Sequence, residues 1–93
     1  MEILKPYRDR LDDLDDRIVD LLVERYNVIR EVGHLKAEKN IPPVIQDRVN
    51  EVRERAAIRG AEKGLDPDFI RRLYTLMIDH AHDMEEEIIS SYE

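Results

Sequence analysis

Apolar side chains recur along the first third of this 93-residue chain at alternating intervals of three and four. They run from Leu4 through Tyr7, Leu11, Leu14, Ile18 and Leu21 to Val28, Val32 and Leu35. Such spacing returns to one face of an α-helix at every step and excludes a strand, whose faces alternate every second residue. One position of the row breaks the pattern: Arg25. A guanidinium does not shed its charge in a protein interior, so a buried one needs an anion. No acidic residue shares the row, which leaves a carboxylate from a neighbouring helix or a bound ligand.

A helix from about Pro6 to Lys39 spans roughly 50 Å at 1.5 Å per residue. A compact chain of this size has a radius of gyration of only about 13 Å. With 40% charged residues, one Phe and no Trp, the core is too thin to cover such a helix. Self-association follows, and an obligate dimer is expected.

Two further helices complete an all-α fold in one domain over residues 1–93. Asn40-Ile41-Pro42-Pro43 ends the first, because proline cannot donate a hydrogen bond and the residue before it avoids helical geometry. The second is expected over about 45–63, with Ile45, Val49, Val52 and Ala56 on its apolar side, closed by Gly64 in a left-handed conformation. Asp66-Pro67 then reads as an N-cap and a first-turn proline. The third helix runs to about Ser91 through Ile70, Leu73, Tyr74, Met77, Ile78, Ala81, Glu85 and Ile88.

Lys36 lies about 20° round and about 16 Å along the helix from Arg25. Arg48 flanks the apolar side of the second helix, and Glu85 falls in the inward row of the third. Three cations and one acid facing inward, in a chain of net charge −7, suit a pocket for a small polyanion. A structural ion pair between Arg25 and Glu85 is the rival reading. Arg8 stands about 25 Å from Arg25 and cannot reach the same pocket within one subunit. The partner's Arg8 could enter it if two first helices ran antiparallel.

The acidic balance argues against nucleic acid, which needs a basic face. The run Arg48, Arg53, Arg55, Arg59 is interleaved with Glu51 and Glu54 and reads as a salt-bridged surface. The absence of cysteine removes thiol chemistry, and no apolar run approaches the length that spans a membrane. A cytoplasmic protein is expected. The three histidines lack metal-ligand spacing and no glycine-rich phosphate loop is present, so the chemistry is expected to need no cofactor, metal or nucleophile.

Arg8-x-x-Leu11-x-x-Leu14-Asp15, Leu21-Leu22-x-Glu24-Arg25, Val32-Gly33-x-x-Lys36, Pro42, Asp47-Arg48 and Gly64-Leu65-Asp66 together resemble the all-helical chorismate mutases. The resemblance covers about Arg8 to Ile88. It implies an intertwined homodimer of three-helix subunits, with each site completed by one arginine of the partner, here Arg8. Arg25 and the partner's Arg8 would hold the two carboxylates of chorismate, with Arg48 in support. Lys36 would donate to the ether oxygen during the Claisen rearrangement to prephenate, a step of aromatic amino acid biosynthesis.

Glu85 stands where bacterial relatives usually carry glutamine, as in fungal-type mutases, and has to be protonated to donate. Ile45 and Val49 replace acidic residues that recognise the ring hydroxyl, and Ala81 replaces a small polar group. The run Asp47-Arg48-Val49 looks more like the isochorismate-pyruvate lyase branch, which makes salicylate and pyruvate. That activity, and a non-enzymatic helical dimerisation module, are the alternatives.

Overall fold

The computed structural model describes residues 2–93. A short 3₁₀ turn, Glu2–Leu4, leads into α1, Lys5–Lys39; α2 follows as Gln46–Glu62 and α3 as Pro67–Ser91. The fold is all-α, as the periodicity requires.

The helix ends have identifiable causes. Asn40, the first residue of the stretch expected to stop α1, closes the helix in the left-handed conformation (φ 54°), its backbone N–H bonding to the Lys36 carbonyl. Ile45 is not part of α2 but its N-cap, with extended backbone. Gly64 has φ +89°, a conformation that a Cβ disfavours. The Asp66 carboxylate accepts a hydrogen bond from the backbone N–H of Asp68 at 3.0 Å, satisfying one of the free donors that open every helix.

α3 is the central element. It packs on α1 along one side and on α2 along another, while α1 and α2 make no backbone-level contact with each other. Ile70, Ile78, Ala81 and Glu85 of α3 are buried, and Ala57 and Gly60 of α2 pack close against it. A Cβ on Gly33 would come within 3.1 Å of Ile88 Cδ1, so glycine there lets α1 approach α3 closely. The Tyr26 hydroxyl, donating to the Met77 carbonyl at 3.1 Å, ties the same two helices. Arg71 ties α3 to α2 through Glu54, Nε lying 3.1 Å from both carboxylate oxygens. That hydrogen bonding to Glu54, then to Asp68, raises the guanidinium pKa further.

The first half of the long apolar row of α1 does not meet the rest of the chain. The flank that faces α3 runs through Leu22, Tyr26, Ile29 and Gly33, whereas Leu11, Leu14, Ile18 and Leu21 are 46–62% exposed. Leu73, expected to face inward on α3, is likewise 38% exposed. The molecule measures 56 × 26 × 14 Å with a radius of gyration of 16.8 Å. Its accessible surface is 7376 Å², against about 5,600 Å² for a compact monomer of this mass.

Candidate functional site

Because α3 holds α1 and α2 apart, a cleft opens between them. One end forms a cavity of about 280 Å³ whose walls bring together Arg25 and Lys36 of α1, Ile45, Arg48 and Val49 of α2 and its N-cap, and Ala81 and Glu85 of α3. Of the residues singled out from the sequence, only Arg8 lies elsewhere, exposed on the projecting half of α1. The remainder of the wall is largely aliphatic, including Val28, Val32, Val52 and Ile78. Apolar walls with a few converging charges are what a small-molecule site needs, since they strengthen each electrostatic contact.

Arg25 has no carboxylate within salt-bridge distance among the described residues. Its Nη1 is shut off from solvent and unpartnered. The guanidinium carbon instead stands 5.9 Å and 6.0 Å from the ring centroids of Tyr26 and Tyr74, within cation–π range. The rival ion pair between Arg25 and Glu85 is therefore not formed. Glu85 faces Lys36: Oε1 lies 2.6 Å from Nζ, with the two side chains 4% and 14% exposed. Lys36 Nζ directs its hydrogen bond to the Pro43 carbonyl at 2.8 Å, and Glu85 Oε1 accepts none in good geometry. The pair is close in charge yet incompletely hydrogen-bonded.

Arg48 is exposed at the rim and bridges to Glu51 on its own helix. Two lining groups escaped the sequence pattern. Pro43 contributes through a backbone carbonyl, which side-chain identity does not reveal, and His82 reaches the cavity from the position after Ala81. The Asn40–Pro43 segment thus does more than end α1: it fixes Lys36.

Cations on aliphatic walls, with no serine, threonine or cysteine among the lining residues, define a helical protein able to hold a small anion and to stabilise negative charge developing on it. Comparison with known proteins makes this specific. Residues 7–86 match the family described as chorismate mutase type II, and the chain belongs to that family. The 4-amino-4-deoxychorismate mutase of Streptomyces pristinaespiralis is 32% identical over 88 residues, covering 95% of this chain and 68% of that protein. The protein of the same description from Streptomyces venezuelae is 30% identical, covering 94% of this chain and 84% of its own length. The bifunctional chorismate mutase/prephenate dehydratase of Escherichia coli K12 is 33% identical over 72 residues, which are 77% of this chain and 19% of that protein. Membership agrees with the sequence-based expectation of a chorismate mutase, an isomerase with an all-helical fold. No helix among the described residues is long and apolar enough to cross a membrane.

Proposed function

We propose that the chain, as one domain, converts chorismate to prephenate by intramolecular Claisen rearrangement in the cytoplasm, as a homodimer. The observation that carries this is Arg25, which lines a cavity together with Lys36 and Arg48, has no carboxylate partner, and keeps a buried Nη1 without a hydrogen bond. A buried guanidinium without a carboxylate is costly unless an anion arrives. A dianion supplies it.

In the rearrangement the ether C–O bond breaks as a C–C bond forms, and no proton moves. The protein has to hold the enolpyruvyl arm over the ring and stabilise charge on the ether oxygen. Arg25, with the partner's Arg8, holds the carboxylates. Arg48 swings from Glu51 to support them. Lys36 donates to the ether oxygen, and protonated Glu85 donates from the other side. Ile45, Val49 and Ala81 shape the ring pocket.

The second copy is argued from the exposed apolar row of α1 and from surface well beyond that of a compact monomer. The excess is on the scale that one subunit loses in an obligate dimer. Two antiparallel α1 helices would cover the row and bring the partner's Arg8 to the open side of the cleft.

A second reading, 4-amino-4-deoxychorismate as substrate, is favoured by the two Streptomyces relatives. The cavity wall speaks for chorismate: its only carboxylate, Glu85, already faces Lys36. A ring ammonium would enter among cations with no free counter-charge. Purified protein incubated separately with chorismate, isochorismate and 4-amino-4-deoxychorismate, followed by product identification, tests the assignment. Prephenate from chorismate at the highest kcat/KM is expected. Salicylate from isochorismate, or preference for the amino compound, would overturn it.

A further inference from the structure

The cleft between α1 and α2 has a second recess of about 260 Å³, sharing Arg25, Arg48 and Val52 with the first and adding Arg55, Ala56, Arg59 and Tyr74. Four guanidiniums and no carboxylate line it. Arg48 is held by Glu51, whereas Arg55 and Arg59 make no ion pair or hydrogen bond among the described residues. Arg25 Nη1 is without a partner as well. Glu51, Glu54 and Glu62 border the outer side of Arg55 and Arg59, but the recess itself holds no acidic group to balance its cations.

The first half of α1 carries aspartates at 9, 12, 13, 15, 16 and 20. Their angular positions separate them. The flank one residue beyond the Tyr7–Leu14–Leu21–Val28–Leu35 row runs Arg8, Asp15, Leu22, Ile29, Lys36 at intervals of seven. Leu22, Ile29 and Lys36 on this flank are half-buried, Ile29 and Lys36 lining the first cavity, while Arg8 and Asp15 are exposed. Among the six aspartates only Asp15 lies on it.

When two such helices run antiparallel, the same flank of one faces that flank of the other. A register that brings the partner's Arg8 between Arg25 and Lys36 carries the partner's Asp15 about 10 Å further along. In antiparallel order that is towards lower numbers of α1, where the second recess lies, since Arg25 is the only residue of α1 that lines it.

We propose that Asp15 of a second copy enters this recess and pairs with Arg55 and Arg59. It is a positioning residue: it fixes the register that delivers Arg8 and screens Arg25 from its cationic neighbours. The inference rests on the dimeric reading above and adds the contact that sets its register.

Charge reversal tests it. Asp15→Lys should weaken dimerisation about tenfold or more in analytical ultracentrifugation, as expected for a partly desolvated interfacial pair. Asp16→Lys, about 100° round the helix from Asp15 and opposite the apolar row, should leave it within about twofold. Asp15→Lys combined with Arg55→Glu and Arg59→Glu should restore dimerisation, and Asp15→Asn, a milder change, should weaken it less while keeping the helical circular dichroism. Equal dimerisation of the Asp15→Lys and Asp16→Lys proteins, or no recovery on reversal, would overturn the pairing while leaving the dimer and its activity standing. A wild-type protein that is active as a monomer would overturn the dimeric reading and this inference together.

Discussion

Lys36 and Glu85 face each other across the α1–α3 contact, Nζ to Oε1 at 2.6 Å, with both side chains largely withdrawn from solvent. The two groups proposed to flank the ether oxygen are thus in contact with one another. A substrate has to come between them, exchanging an internal ion pair for contacts with its own oxygen.

Removing one member of a buried pair strands the other. Lys36→Met should lower kcat on the order of 10²–10³-fold through loss of a preorganised donor. It should also destabilise the fold by about 3 kcal/mol, because the Glu85 carboxylate is left uncompensated. Combining Lys36→Met with Glu85→Gln should recover most of the stability and none of the activity. Thermal denaturation read beside the chorismate assay separates the two effects.

In the proposed mechanism Glu85 also governs how the rate responds to pH. An ionised carboxylate cannot donate to the ether oxygen and repels the charge growing there, so the protonated form is the active one. On that mechanism the rate should rise as pH falls. Glu85→Gln, which donates at every pH, should flatten the profile; a flat wild-type profile would rule the role out.

Arg25 separates an enzyme from a dimerisation module. Arg25→Met replaces a half-buried cation that lacks a carboxylate partner by an apolar side chain and should leave the fold intact or slightly stabilised. Chorismate turnover should fall by at least about 10³-fold. Unchanged turnover with normal substrate affinity would remove Arg25 from the site.

Gly64, at φ +89° with open space around its Cα, isolates a purely conformational contribution. Gly64→Ala should cost about 1 kcal/mol through left-handed backbone strain alone. A fall in melting temperature of several degrees, with kcat unchanged, is the expected result.

The sequence by itself determined the three helices and most of the charged residues that line the candidate cavity. The three-four spacing of α1, the Pro-Pro interruption, Gly64 and the Asp66 cap are local signals, and helix formation answers to local signals. Arg25 was conspicuous because one charge in an apolar row violates burial chemistry, and Lys36 followed from helix geometry. Tertiary structure decided which charges meet. Glu85 faces Lys36 and not Arg25, the Pro43 carbonyl orients Lys36, and the first half of the apolar row is exposed while a neighbouring flank of α1 packs on α3. Periodicity gives the angular position of a side chain on its own helix but not the rotation and offset between helices. Those depend on close approaches such as Gly33 to Ile88, where the packing of α3 chooses one arrangement from several that the pattern allows.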